Sequence, residues 1–110
     1  MRIKDLDGCR LLKDEENVFR NYIIFLEEAG QELEDHNLVL DLQEVEEIDL
    51  VELLTLLPYS DRQKQGGKSF VVIIKDVEID EVPENLSIVP TLGEAEDLIQ
   101  MEEIERDLGF

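Results

Sequence analysis

Five carboxylates crowd one short stretch of this chain: Asp41, Glu44, Glu46, Glu47 and Asp49. Clustered carboxylates have two chemical uses. Their oxygens can hold a hard cation, or two of them can divide acid and base roles when their environments differ. The spacing supports neither use. The Asp-x-Asp-x-Asp-Gly pattern of a calcium loop is missing, and no catalytic partner accompanies the acids. A solvated turn is therefore the default reading. The other reactive side chains are sparse. His36 is the single histidine and Cys9 the single cysteine, and they form no ligand-spaced pair, so no metal site is expected. His36 could titrate near neutral pH, but it falls at an expected helix-to-strand junction with no nucleophile in motif spacing. It reads as a surface or helix-end residue. Cys9, in an expected strand, reads as a small buried hydrophobe rather than a reactive thiol. Ser60, Ser69 and Ser87 lack a Gly-x-Ser-x-Gly context. Gly66-Gly67-Lys68 lacks the upstream glycine of a phosphate-binding loop and reads as a helix stop. No catalytic residue, metal or cofactor is expected.

The composition sets the class of partner. The chain has 110 residues, 43% of them hydrophobic and 35% charged, which fits one globular domain with a real core. The formal net charge is −19. Nucleic-acid backbones and anionic lipid surfaces both select for Lys and Arg clusters, so both are disfavoured as partners. A basic protein is the partner that bulk charge would attract. The lone cysteine gives no disulfide framework, and the first residues show no signal-peptide pattern, so a reducing cytoplasm is the expected location. The longest apolar runs are far too short to span a bilayer, so no membrane insertion is expected.

The elements that position these residues can be read from pattern. Asp7-Gly8 is a hairpin dipeptide that would join strands near Arg2–Leu6 and Cys9–Lys13. Asp14 is a candidate helix cap. Val18, Tyr22, Leu26, Ala29 and Leu33 recur at helical spacing, widened by Phe19, Ile23 and Phe25, with Gly30 weakening the last turns. Leu38-Val39-Leu40-Asp41-Leu42 reads as a buried strand. Asp49 with Glu52 three residues on is a capping-box pattern opening a helix over residues 50–65. Leu50, Leu53, Leu54 and Leu57 would face the sheet, and Pro58 would kink the helix or break and restart it. Phe70-Val71-Val72-Ile73-Ile74 is apolar on both faces, as a buried parallel strand is. Residues 76–87 read as an irregular crossover with a short extended piece at 77–79. Ile88-Val89 is a short strand. Thr91 with Glu94 opens a last helix whose inward face is Ala95, Leu98 and Ile99. The expected fold is α/β: a mixed sheet of four to five strands packed with about three main helices.

Leu38-Val39-Leu40-Asp41-Leu42, then Ile48-Asp49 opening a helix, then Gly66-Gly67 and an apolar strand, resembles the STAS domain. That domain is shared by bacterial anti-sigma factor antagonists and sulfate transporter tails. Thr91-Leu92-Gly93-Glu94-Ala95 resembles the start of its last helix, and the resemblance covers roughly residues 3–100. It implies a regulatory protein-interaction module built on a motif of Asp, two small hydroxyl residues and Gly, the second hydroxyl being phosphorylated by partner kinases. Here the matching residues are Asp49-Leu50-Val51-Glu52. Asp49 matches. Val51 stands at the acceptor position and has no hydroxyl, so no phosphorylation is expected. Glu52 replaces the glycine and places a fixed negative charge in the first turn, where one is favourable. Residues 94–110 also look like small bacterial STAS-like proteins that are sometimes labelled ribonuclease Z. That enzyme family is similar to metallo-β-lactamases and needs several clustered histidines for zinc, which a chain with one histidine contradicts.

One further feature concerns surfaces. Past residue 100 the chain continues with Met101, Ile104, Leu108 and Phe110 spaced as a stripe between acids. Such an extension suits a partner's groove or a homodimer contact. Alternatively it packs on the chain's own sheet or first helix. The candidate partner-binding residues are therefore Asp49, Leu50, Val51 and Glu52, and Met101, Ile104, Leu108 and Phe110. The expected function is a non-enzymatic, non-phosphorylatable STAS-like interaction module with an unidentified protein partner. The alternative is an acidic inhibitor or chaperone of a basic protein acting by bulk charge. A carboxylate-metal enzyme ranks last. The start at Asp49 is either a constitutive binding surface or a purely structural helix cap.

Overall fold

The computed structural model describes residues 1–75 and 82–109. Among the described residues the elements run β1 (Arg2–Leu6), β2 (Cys9–Lys13), α1 (Phe19–Ala29), a 3-10 turn (Gly30–Leu33), β3 (Leu38–Asp41), α2 (Leu50–Leu54), α3 (Leu57–Gln65), β4 (Phe70–Ile73), β5 (Ser87–Val89) and α4 (Leu92–Asp107). The strands form one mixed sheet in the order β1-β2-β3-β4-β5. β1 pairs antiparallel with β2, and the other neighbours pair in parallel. The fold is thus α/β with a mixed five-stranded sheet, as the alternation of apolar runs and helical periods requires. The expected extended piece at 77–79 lies outside the described residues, as does the first half of the expected crossover.

Successive side chains of a strand point to opposite faces, and the sequence uses both. On one face Leu12, Leu38, Leu40, Phe70 and Val72 pack with Phe19, Tyr22 and Leu26 of α1, Leu33, and Leu53 and Leu56 around α2. On the other, Cys9, Val39, Val71 and Ile73 meet Ala95 and Ile99 of α4. The register Leu38↔Phe70, Val39↔Val71, Leu40↔Val72 keeps the two sets apart. A slip by one residue would exchange them. β1 is a mostly exposed edge, held by the hairpin and by Arg10 Nε donating to Asp5 Oδ1 at 2.7 Å directly across the pair. Gly8 turns the hairpin at φ 92°, a conformation open to glycine and strained for other residues.

Two expectations change, and a third is narrowed to one of its alternatives. The first helix begins later than Asp14. The chain turns at Asp14 and Asn17, with the Asn17 amide donating to the Asp14 carbonyl and Asn17 itself at φ 57°, so α1 starts at Phe19 with Val18 as its cap residue. Asp14 is buried and serves that loop instead: its Oδ2 accepts from the Val18 amide and from Asn21 Nδ2, both at 2.9 Å. Val18 is exposed and leaves the buried face. Gly30, at φ 47°, ends α1 outright, and Leu33 reaches the core from a separate 3-10 turn. Of the two outcomes expected at Pro58, the break is the one that forms, and residues 50–65 make two helices. Thr55 and Leu56 close with bonds to residues three back, the tightened 3-10 pattern, and Pro58 sits in the first turn of α3, where its missing N–H costs nothing. α3 ends as expected at the two glycines: Gly67 takes φ 78°, its amide donates to the Lys64 carbonyl, and the Lys68 amide reaches Gln63.

One buried hydroxyl ties the C-terminal ends of β2 and β3 together. Tyr22 is fully buried; its hydroxyl donates to the Asp41 carbonyl and accepts from the Asp14 amide at 2.9 Å. Burial pushes its pKa up to about 12, so it remains a neutral donor. Tyr22→Phe keeps the ring and strands both backbone groups. It should cost about 1–3 kcal/mol, read as a lower urea midpoint at unchanged slope; an unchanged midpoint would refute this role. Asp14 gives a pH signature. Burial raises its pKa, but the Val18 and Asn21 donors outweigh burial and the net shift is downward. A carboxylate with a depressed folded pKa contributes stability above its ordinary pKa of about 4 and loses it as pH falls through the folded value. Asp14→Asn should therefore be less stable than the natural chain at neutral pH, with the gap narrowing below about pH 4. Parallel stability curves would show that the charge is irrelevant.

Candidate partner-binding surfaces

The first surface begins where β3 leaves the sheet. The Asp41 side chain turns the chain by accepting from the Gln43 amide and from Gln43 Nε2, both at 3.1 Å. Lys13 Nζ stands 3.2 Å from Glu44 and 3.9 Å from Asp41, so a cation of the chain itself already serves two of the clustered acids. Among the described residues no group of three His, Cys, Asp or Glu side chains is placed to hold a metal ion. Glu47 takes a left-handed conformation, φ 56°, which is uncommon for a residue with a side chain. Asp49 then caps α2. Its Oδ1 accepts from the Glu52 amide at 2.8 Å, and Glu52 Oε1 accepts from the Asp49 amide at 3.2 Å. The expected capping box is present in both directions.

Beyond the cap, α2 departs from expectation. Leu50 and Leu54 face outward, with Val51, while only Leu53 of α2 is buried. Leu50, Val51 and Leu54 are 45%, 70% and 44% exposed. The cause is the break after Leu54. A continuous helix would have stacked Leu50, Leu53, Leu54 and Leu57 inward; Leu53 and the partly buried Leu57 do pack on the core, and Leu50 and Leu54 do not. The tightened turn instead aligns Leu53 with Leu56, three residues on, and those two fill the core. The result is a small outward apolar face on a capped turn, bordered by Asp49 and Glu52.

The second surface is on α4. Thr91 caps this helix, its Oγ1 accepting from the Glu94 amide at 3.2 Å. Ala95 and Ile99 are buried and Leu98 partly so, as expected. The helix runs on without interruption to Asp107. Met101, Ile104 and Leu108 are 58%, 54% and 66% exposed, so the stripe packs neither on the sheet nor on α1. Phe110 lies outside the described residues. The inward side of the same segment is polar. Glu103 Oε1 accepts from Asn37 Nδ2, and both terminal nitrogens of Arg106 donate to Ser69 Oγ at 3.3 Å.

Those contacts depend on side chains that pattern reading passes over. Asn37 is buried: its Nδ2 also donates to the Gly8 carbonyl at 2.9 Å, and its Oδ1 accepts from the Ser69 amide at 2.8 Å. Gln63, buried on α3, donates from Nε2 to the Leu33 and His36 carbonyls at 3.0 and 2.8 Å. The available signal is modest. Asn37 and Ser69 each stand one residue before an apolar strand, and those strands begin in register at Leu38↔Phe70. Polar residues at matched strand starts are candidates to pair with each other's backbone.

Between the β1–β2 turn and α4 lies a groove of about 510 Å³, lined by Cys9, Ile99 and the acids Asp7, Glu96, Asp97 and Glu103, with Gly8, Gly93 and Gln100. Cys9 is buried against it. Burial pushes the thiol pKa up, and Glu96 and Glu103 push it further the same way. A thiol held neutral is a poor nucleophile. His36 is half-buried at the expected junction, its carbonyl spent on Gln63. No helix among the described residues is long and apolar enough to cross a membrane. No protein-family model matches the chain, and no curated protein matches it by sequence.

The cap at Asp49 has a measurable value. Asp49→Ala removes the acceptor for the Glu52 amide and should cost about 1 kcal/mol of stability, read from chemical denaturation. A loss below a few tenths of that would mean the capping box does not hold the α2 turn.

Proposed function

We propose that this chain is a cytoplasmic, non-enzymatic, STAS-like protein-interaction module that engages a protein partner constitutively through the start of α2. The observation that carries this reading is the outward face of Leu50, Val51 and Leu54 on a turn fixed by a reciprocal cap. A backbone turn already fixed by its cap favours association, because less ordering entropy is lost when a partner covers the apolar side chains on it. The residue where the resembled family accepts phosphate is Val51, so the surface carries no charge switch at that position. Glu52 is engaged in the cap and supplies a fixed negative charge there. Three of the carboxylates have structural duties: Asp41 and Asp49 bond backbone amides, and Asp14 holds the α1 entry.

A second reading has its own support. The net charge of −19 and the acid-lined groove beside α4 favour a basic partner attracted by charge alone. Such a complex weakens steeply with salt, because exposed charges are screened.

The experiment is affinity purification from the source cell with the natural chain and with Val51→Arg/Leu54→Arg. These positions are exposed and the cap residues remain, so the variant should fold normally by circular dichroism. The expected result is a specific partner recovered at about 0.5 M salt and lost with the variant. The same partner recovered equally with both chains would remove the α2 surface. A partner released by salt alone would favour bulk charge.

A further inference from the structure

We infer that the outward stripe of α4 is a docking site for a basic amphipathic helix of a partner protein. The inference rests on the reading of the chain as an interaction module and adds a second surface and the chemistry of what covers it.

The residues of α4 are arranged the reverse of an ordinary surface helix. At about 100° per residue, Ala95, Ile99 and Arg106 share one side, while Met101, Ile104 and Leu108 fall within about 60° of each other on the opposite side. Up to Ile99 the inward side is apolar and buried. Beyond it the inward side is polar, with Glu103 bonded to Asn37 and Arg106 to Ser69. The apolar residues of that same segment point to solvent. A surface helix that only had to cover its own sheet would carry its apolar residues on the inward side. The polar bonds to Asn37 and Ser69 fix the rotation of α4, so the stripe has no route inward without breaking them.

Charge selects the occupant. α4 carries seven acids against one base, and that base, Arg106, is turned inward. Asp97 and Glu105 flank the stripe on the same outward side. A second copy would bring two such acidic faces together, at a repulsive cost. A helix with apolar residues at three- and four-residue spacing, flanked by Lys and Arg, matches both the stripe and its border. From Met101 to Leu108 the stripe is about 10 Å long, a seat for roughly two turns of such a helix.

The probe is a helical peptide of about 18 residues composed of leucine and lysine, with the leucines on one face, and a scrambled twin of equal composition without that face. At about 0.15 M salt the amphipathic peptide should bind the intact chain at least tenfold more tightly than its twin. Met101→Ser/Ile104→Ser/Leu108→Ser should abolish that preference, and Ile104→Gln alone should reduce it. All three positions are exposed, and an unchanged thermal midpoint would show each variant folded. Val51→Arg/Leu54→Arg should bind the peptide as the natural chain does, which separates this test from that of the α2 surface. Equal affinity for the two peptides, or a preference surviving the triple substitution, would overturn the proposal and leave only charge attraction. Sedimentation showing a dimer that the triple variant splits would also overturn it, by assigning the stripe to a second copy.

Discussion

The carboxamide of Asn37 is the junction on which this structure depends. It is buried just ahead of β3, and both of its polar atoms are used: Oδ1 accepts from the Ser69 amide, and Nδ2 serves the Gly8 carbonyl and Glu103. The need for it is physical. Ahead of β4 the Ser69 amide is served by a side chain rather than by the ladder, and a buried amide left unpaired is costly. The Asn37 oxygen satisfies the Ser69 amide, and the backbone adds the Leu38 amide donating to the Ser69 carbonyl at 2.9 Å. These bonds set β3 against β4 in the one register that sorts the two apolar faces. Gln63 acts similarly on the helix side, joining α3 to the carbonyls of Leu33 and His36. Two buried amides thus draw separate pieces of chain together at one end of the sheet.

The opposite end is closed by Tyr22, whose hydroxyl bridges the loops beyond β2 and β3. Between these polar clamps the strands need only be apolar, and Leu38, Val39 and Leu40, with Phe70, Val71, Val72 and Ile73, are. The clamps also decide what the surface looks like. Tyr22 binds the carbonyl of Asp41, from which the acidic connector toward α2 departs. Asn37, through Glu103, sets the rotation of α4 and turns Met101, Ile104 and Leu108 away from the sheet. Because α1, α2 and α3 cover one face and α4 the other, the two exposed apolar surfaces lie on opposite sides of the sheet. A partner seated on one leaves the other open.

The features legible in the sequence are those encoded locally. The hairpin at Asp7-Gly8, the capping box of Asp49 and Glu52, the break at Pro58 and the glycine stop after α3 each depend on residues within a few positions of one another. The parallel strands are legible because burial on both faces demands a continuous apolar run. Errors arise where one period is projected across a boundary. Counting Val18 with α1 overlooks the Asp14–Asn17 turn that delays the helix, and turning Leu50 and Leu54 inward assumes one continuous helix through Thr55. Asn37, Gln63 and Arg106 escape sequence reading for a different reason. Their partners are 27 to 66 positions away for the two amides and 37 for Arg106. No local spacing marks a pairing of that kind.

The acidity of the chain shows the same division between structure and surface. Several of its few cations are committed internally: Arg10 to Asp5, Lys13 to Glu44 and Asp41, Lys64 to the Asn85 carbonyl, and Arg106 to Ser69. Many of the acids remain at the exposed surface, unmatched by the few cations. Uncompensated like charge raises the free energy of the compact state through self-repulsion, and burial of the two apolar clusters is the main term that offsets it. A basic partner on either apolar surface would remove part of that repulsion while covering the exposed leucine, isoleucine and methionine. Binding and folding are then linked in sign: a ligand that binds the folded chain alone stabilises it, here by relieving the charge strain that folding imposes. With such a partner, the linkage would separate the exposed acid of α4 from a merely solvated coat, which has no use for an apolar stripe at its centre.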